Sequence, residues 1–186
     1  MTLPYILGIT GASGSIYALR LLRHLHALKA EVHVVASESG RKVIAFEGCK
    51  ELFSEADAVF ENQNLFAPIA SGSYRHAGMV VLPCSMATLG KLAGGIGDNL
   101  LTRAADVTLK EKRRLILVPR EMPMHSIHLH NQKILADAGA VILPASPSFY
   151  HHPKTIEDLV DTVLARVLDH LGLEHAISQR WPEMGA

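Results

Sequence analysis

The chain has 186 residues, in which 18 Lys and Arg are balanced by 18 Asp and Glu, so its formal net charge is zero. This neutrality gives no electrostatic reason to expect a nucleic acid or an anionic membrane as a partner. The length fits one domain, and we expect a single domain over 1–186 with a C-terminal tail at 173–186. Charged residues make up only 19% of the chain, which favours burial of some surface between subunits over the alternative, a large core around a parallel sheet covered on both faces.

The cysteine and histidine content argues against disulfides and metals. Cys49 and Cys84 are too few for a disulfide framework, so a reducing, cytoplasmic location is expected. No apolar run is long enough to span a bilayer, and the sequence opens on a strand pattern rather than a signal peptide. His125, His128 and His130 cluster without an HExxH or paired CxxC motif, so no metal site is expected.

Short apolar runs alternate with amphipathic segments along the chain. The runs predict strands at 5–10, 32–36, 78–82, 115–118 and 140–143. Helical spacing predicts helices at about 18–28, 85–92, 99–110, 126–138 and 156–171. Thr155 and Asp158 resemble a capping box for the last helix, and Gly172 is a natural stop. This alternation indicates an α/β protein, a three-layer α/β/α sandwich with a doubly wound parallel sheet.

A glycine-rich turn, 10–15 (TGASGS), follows the first predicted strand. In doubly wound sheets ligands bind at this carboxyl edge, glycines admit a ligand close to the backbone, and a helix N-terminus favours an anion. The spacing Gly8-x-x-Gly11-x-x-Gly14 differs from the dinucleotide motif G-x-G-x-x-G, and Ser37 stands where an acidic residue would bind a ribose. A flavin or single nucleotide is therefore favoured, with a tight turn that binds nothing as the alternative.

Three further groups of residues follow predicted strands. Ser85 can cap the next helix or bind a phosphate or ring edge, and the two interpretations are about equally supported. Its neighbour Cys84 is better explained as a core thiol than as a nucleophile. Arg120 and Glu121 are favoured as ligand contacts because charges at this edge face the crevice. Tyr150, in a proline-rich loop, is a candidate phosphate or ring contact.

Together and in this order, these motifs resemble the UbiX family of flavin prenyltransferases over nearly the whole chain. The matching segments are 8–14, 70–73, 83–88, 99–107, 109–111, 117–123, 139–145, 149–150, 158–161 and 180–181. The resemblance implies a flavodoxin-like or Rossmann-like flavoprotein, commonly a homododecamer, with FMN at subunit interfaces. It also implies transfer of a dimethylallyl group, usually from dimethylallyl monophosphate, to N5 and C6 of reduced FMN. The product would serve a UbiD-like decarboxylase, often in ubiquinone biosynthesis or aromatic acid decarboxylation.

The resemblance also implies roles for individual residues. Contacts to FMN are expected from Gly11, Ala12, Ser13, Ser37, Ser85, Met86, Ala87, Thr88 and Arg120. Contacts to the prenyl phosphate are expected from Tyr150 and Arg166, with Arg103 and Lys110 completing a cationic clamp. Ser13 and Glu47 match a suspected proton relay near flavin N5, and Glu121 matches a carboxylate near the leaving phosphate.

Two other functions stay open at this point. The first is an FMN-dependent cysteine decarboxylase of a related homo-oligomeric family, whose P-A-S-A-N-T stretch contains an Asn that 83–88 (PCSMAT) lacks. The second is a flavin carrier without activity, which the charged residues expected at the phosphate end argue against. For Arg166 alone, the alternative to a phosphate contact is a surface ion pair with Asp158 or Asp161.

Overall fold

The sheet has six parallel strands in the order β3-β2-β1-β4-β5-β6. The computed structural model describes residues 3–178 and 180; Trp181, in the tail motif 180–181, lies outside them. The strands are β1 (Tyr5–Ile9), β2 (Val32–Ala36), β3 (Ala58–Glu61), β4 (Gly78–Cys84), β5 (Leu115–Pro119) and β6 (Val141–Ile142). This is the doubly wound Rossmann-like arrangement, so the predicted fold class is confirmed.

Helices cover both faces of the sheet. They are α1 (Ser15–Ala27), α2 (Glu38–Phe46), α3 (Glu51–Glu55), α4 (Met86–Ala93), α5 (Leu100–Lys110), α6 (Ser126–Asp137) and α7 (Ile156–Leu171), with a 3-10 turn at Pro68–Ala70. Residues from α1, α2, α3 and α7 pack into one core cluster, and residues from α4, α5 and α6 pack into the other. Successive residues of β4 alternate between the two clusters, which is why parallel strands of this kind are continuous apolar runs.

The sequence pattern missed β3 and α2. β3 is an edge strand whose residues alternate between intermediate and exposed, so it has no continuous apolar run. α2 buries only Gly40 and Ile44 of its nine residues, and such a narrow apolar stripe gives little helical signal. The predicted ends of α7 are confirmed, since Thr155 and Asp158 form a reciprocal capping box and Gly172 adopts a left-handed conformation with φ 76°.

The strand order reverses between β1 and β4, where a crevice opens at the carboxyl ends of the strands. Thr10 ties the two loops of this crevice together. Its Oγ1 donates to the Pro83 carbonyl at 2.8 Å and accepts from the Ser85 backbone N–H at 2.7 Å. Thr10 is buried, with 1% of its surface exposed, so water does not replace these bonds.

We therefore expect Thr10→Val, which keeps the shape but removes the hydroxyl, to lower the free energy of unfolding by about 2 kcal/mol, because the Ser85 N–H is left without an acceptor. Thr10→Ser keeps the hydroxyl and should lose only about 1 kcal/mol for its missing methyl group. Urea unfolding at one fixed protein concentration measures both. A Val variant as stable as the wild-type protein would contradict the role given to the hydroxyl.

Candidate active site

Loops that follow β1, β2, β4 and β5 meet at the carboxyl edge of the sheet. The Arg120 Nε donates to the Ser13 carbonyl at 3.0 Å, and the Arg120 N–H donates to the Cys84 carbonyl at 3.3 Å. The Ser37 N–H donates to the Ile9 carbonyl at 2.9 Å. Ser13, Ser37, Ser85 and Arg120, which the sequence placed at separate strand ends, therefore line one edge.

Gly11 is needed for the close approach of the turn after β2. A Cβ atom at Gly11 would fall 2.6 Å from the Ser39 Oγ, so a side chain here would displace Ser39. The Ser37 Oγ accepts from the Gly40 N–H at 3.0 Å and lies 3.2 Å from the Ser39 Oγ. Ser39 thus adds a second hydroxyl at this edge. Ser39 was not among the residues predicted from the sequence, although it stands two residues after Ser37, the N-cap of α2.

The turn after β4 has the predicted helix cap. The Ser85 Oγ accepts from the Thr88 N–H at 3.3 Å and lies 3.1 Å from the Thr88 Oγ1. Met86 is buried while Ala87 is exposed, so the first turn of α4 presents backbone and small groups to the crevice. The cap does not preclude ligand binding, which stays a prediction. Burial raises the pKa of the Cys84 thiol to about 12, so it is protonated at neutral pH and is not a nucleophile.

Glu47 binds the N-terminus of α1. Both carboxylate oxygens accept from the Gly14 N–H at 3.1 Å, and Oε2 also accepts from the Ser15 N–H at 2.6 Å. The anion that this helix end favours is thus supplied by the chain itself at Gly14 and Ser15. Burial alone would raise the pKa of Glu47, but hydrogen bonds from the Ser13 hydroxyl and from these N–H groups outweigh it and lower the pKa. The carboxylate is therefore charged at neutral pH and close to Ser13, as a relay would require.

A second region is a cavity of about 430 Å³ between the loop after β6, α7 and the segment after α7. Tyr150 and Arg166 both line it, together with the hydroxyls of Ser146, Ser148 and Thr162. The structure thus brings together the two residues that were expected to bind the prenyl phosphate. Thr162 holds the loop, since its Oγ1 accepts from the Ser148 N–H at 3.1 Å.

Arg166 has an anionic partner that the sequence analysis did not name. Its NH1 donates to the Asp169 Oδ2 at 2.6 Å, three residues further along α7, while 61% of the Arg166 side chain is exposed. The alternative considered from the sequence, an ion pair of Arg166 with Asp158 or Asp161, is therefore wrong in its partner. Asp158 caps α7, and Asp161 accepts from the Arg20 Nε at 2.8 Å. The i, i+3 spacing was the available signal.

Arg103 and Lys110 lie away from this cavity. Both are on α5, which packs on the opposite face of the sheet from α7. The Arg103 Nε donates to the Ala70 carbonyl at 3.2 Å and its NH1 to Asp106 at 2.8 Å, whereas Lys110 pairs with Glu111. One chain therefore does not bring these two cations to Tyr150 and Arg166.

The remaining candidate groups are simple to place. Glu121 lies two residues after the end of β5, is exposed, and accepts from the Met122 N–H at 3.1 Å. The rings of His125 and His128 have centroids 3.5 Å apart and planes tilted by 30°. Within residues 3–178 and 180, no group of three or more side chains could hold a metal ion. Within the same described residues, no helix combines the length and apolar character needed to cross a membrane.

Comparison with known proteins gives close matches over the whole length. A flavin prenyltransferase UbiX from Alkalihalophilus pseudofirmus is 48% identical, with 95% of this chain and 94% of the relative covered. A solved UbiX structure in complex with FMN and dimethylallyl pyrophosphate has a TM-score of 0.94 and 40% identity, covering 97% of this chain and 98% of the other. A dodecameric FMN-dependent UbiX-like decarboxylase from Escherichia coli O157:H7 has a TM-score of 0.92 and 43% identity, covering 96% and 99%.

The family model described as Flavoprotein matches residues 2–168. With the relatives above, this match confirms the family resemblance that the ordered motifs predicted. The chain belongs to the flavoprotein family and, within it, to the UbiX flavin prenyltransferases.

Proposed function

We propose that this chain is a flavin prenyltransferase that transfers a dimethylallyl group from dimethylallyl monophosphate to N5 and C6 of reduced FMN. The observation that carries the proposal is the pairing of two sites suited to phosphate-bearing ligands. One is the hydroxyl-rich edge with Ser37, Ser85 and Arg120, and the other is the cavity with Tyr150 and Arg166. Such a pair suits a cofactor and a donor that each carry a phosphate.

The residues at the carboxyl edge fit FMN. Ser37 and Ser39 offer hydroxyls beside Gly11, and the first turn of α4 adds backbone N–H groups and the Ser85 and Thr88 hydroxyls. Arg120 adds the positive charge that a phosphomonoester requires. Ala12, Met86 and Ala87 would complete the contacts. FMN, when bound and reduced, supplies a nucleophilic nitrogen, so the chain need not provide a nucleophile.

The other residues position the donor and move protons. Tyr150 and Arg166 hold the donor phosphate, and Arg166 stabilises the negative charge that grows on it as the allylic C–O bond breaks. Glu121 is assigned to the leaving phosphate, to which a carboxyl group could pass a proton. Ser13 with the charged Glu47 would accept the proton that ring closure at C6 gives up.

We propose a homo-oligomer, of dodecameric size as in the Escherichia coli relative, with each site shared between copies. Large apolar side chains are exposed on this chain, which supports association; they are Phe46, Phe66, Met122, Phe149 and Ile156. Arg103 and Lys110 would reach the donor phosphate from a neighbouring copy, since they lie across the sheet from Arg166.

The product would pass to a UbiD-like decarboxylase in the cytoplasm, for ubiquinone biosynthesis or for aromatic acid metabolism. Cys49 and Cys84 are both free thiols, which agrees with a reducing compartment. The runner-up function, cysteine decarboxylation with FMN, is disfavoured because the turn at 83–88 has no Asn side chain.

Anaerobic incubation of the purified protein with reduced FMN and dimethylallyl monophosphate should yield a flavin carrying one added prenyl unit, detected by mass spectrometry of the released cofactor. Dimethylallyl diphosphate serves as the parallel donor. Incubation with a C-terminal cysteine peptide should release no carbon dioxide. An unmodified flavin with both donors, or carbon dioxide from the peptide, would reject the assignment in favour of the runner-up.

Replacing Glu47 with Gln should leave FMN bound but slow the formation of the cyclised product. The Gln oxygen can still accept from the Gly14 and Ser15 N–H groups as Oε2 does, whereas its NH2 group cannot replace Oε1 as an acceptor, and the amide cannot accept a proton. The measurement is the ratio of cyclised to singly attached product in single turnovers. Glu55→Gln is the matched control, because Glu55 lies at the end of α3 and pairs with Arg23 on α1.

The same substitution should cost about 0.5–1 kcal/mol of stability at pH 7, since the charge on the α1 N-terminus is lost. Because folding lowers the pKa of Glu47, its stabilising charge is present above the unfolded value near 4.3 and is lost as the pH falls through the folded value. The difference in stability between the wild-type protein and Glu47→Gln should therefore vanish in acid.

The relay is tested by the cyclisation ratio. A ratio for Glu47→Gln equal to that of the wild-type protein would exclude Glu47 from the relay.

Mixed oligomers test whether the donor site is shared. Arg103→Ala and Arg166→Ala should each be nearly inactive alone, but co-expression should restore up to about a quarter of wild-type activity, because random assembly leaves that share of two-chain interfaces with both arginines. Native mass by light scattering confirms that the subunits have mixed and assembled. If co-assembled oligomers stay inactive, the shared site is ruled out.

A further inference from the structure

We propose that Asp169 is a positioning residue of the donor-phosphate site, which holds Arg166 and Arg180 side by side at the cavity and ties the C-terminal segment to α7. This inference rests on the proposed function, because it concerns the phosphate that Arg166 is assigned to bind. Asp169, His175 and Arg180 were not among the site residues expected from the sequence.

The Asp169 carboxylate receives hydrogen bonds from three side chains. Its Oδ2 accepts from the Arg166 NH1 at 2.6 Å, and its Oδ1 accepts from the Arg180 NH2 at 2.8 Å and from the His175 Nε2 at 3.1 Å. All three donors line the same cavity as Tyr150. Bonds of this length between a guanidinium and a carboxylate fix the direction as well as the position of the arginine.

The negative charge of Asp169 depends on the side chains that donate to it, because its position in α7 does not stabilise it. It lies in the last turn of α7, where the helix dipole disfavours a negative charge. Burial would raise the pKa of Asp169, but the hydrogen bond from Arg180 and the charges of His175 and Arg166 outweigh burial and lower the pKa. The carboxylate is therefore charged at neutral pH and keeps both guanidinium groups in place.

The bonds to Asp169 leave Arg166 able to bind a ligand. A guanidinium has five N–H donors, and Asp169 accepts only one from Arg166. Arg166 also lines the same cavity as Tyr150. A guanidinium held in a fixed direction and a phenol hydroxyl suit the dianionic phosphate of a prenyl donor.

The same carboxylate connects the C-terminal segment to the cavity. His175 is almost fully buried, with 3% of its side chain exposed, and its Nε2 is also 3.0 Å from the Ala165 carbonyl. Leu173 and Ile177 pack against the core cluster that contains α7. Leu173 and Ile177 thus dock this part of the chain on α7, and Asp169 binds Arg180. Loss of the Asp169 charge should loosen both arginines together.

A competing explanation makes the opposite prediction. If Asp169 only occupied the arginines until a phosphate displaced it, removing its charge would strengthen donor binding. If Asp169 positions them, its removal weakens donor binding, because the entropy cost of ordering Arg166 and Arg180 then reduces the free energy of binding. The direction of the change in donor KM separates the two explanations.

The test uses FMN-loaded Asp169→Asn. We expect donor KM to rise about tenfold, with kcat within about twofold and FMN affinity unchanged. Asp169→Glu should recover part of the loss. Calorimetric titration with inorganic phosphate, which needs no turnover, should show weaker binding by a similar factor. Asp137→Asn is the matched control, because Asp137 is also an ion-paired carboxylate at the end of a helix and should change neither value.

A donor KM that stays the same or falls in Asp169→Asn would overturn the proposal. If that variant does not fold, Arg180→Met decides instead, because Arg180 is exposed and its replacement should also raise donor KM about tenfold. An unchanged KM there would equally overturn it. If the wild-type protein makes no prenylated flavin, the proposed function fails, and the phosphate titration of wild type against Asp169→Asn still tests this inference separately.

Discussion

The hydrogen bonds from the N-terminus of α1 to Glu47 decide where the crevice can bind an anion. In many doubly wound proteins the first helix offers its unpaired N–H groups to a ligand phosphate. Here the Gly14 and Ser15 N–H groups already bind a carboxylate from the end of α2. In the proposed function, the positive charge that binds a ligand phosphate would therefore come from elsewhere, from Arg120 and Arg166. Thr10 holds the same turn against the loop after β4, so the crevice is shaped by the chain before any ligand arrives.

In the proposed function, this arrangement would bind two phosphates in separate places. Arg120 follows β5 and donates to the Ser13 carbonyl, so its charge stays beside the turn after β1. Arg166 stands on α7, beyond the loop that follows β6, and is held by Asp169. An enzyme that joins two phosphate-bearing molecules gains from cations fixed in separate places, because each phosphate then orients its own ligand and the reacting carbon and nitrogen can be brought together. The Glu47 carboxylate contributes by keeping a third anion-binding position closed.

Much of the fold was predictable because the central strands carry continuous apolar runs, as β2, β4 and β5 do. The half-exposed β3 and the narrow stripe of α2 left no comparable signal, so both were missed. Ser37, Ser85 and Arg120 could be placed because residues after parallel strands meet at one edge. The bonds from Gly14 to Glu47, 33 residues away, and from Thr10 to Ser85, 75 residues away, could not be derived from local pattern. Glu47 entered only through the family resemblance.

The sheet itself explains why this chain should act as part of an oligomer. Arg103 and Lys110 lie on the α5 face and Arg166 lies on the α7 face, with the buried strands between them. A single chain can therefore concentrate only part of its positive charge on one phosphate. Contact between the α5 face of one copy and the α7 face of another would bring Arg103 and Lys110 to the phosphate at Arg166. The same contact would cover exposed apolar side chains such as Phe66 and Phe149. Burial of apolar surface and completion of the phosphate site would then depend on the same contact, so that assembly and activity are coupled.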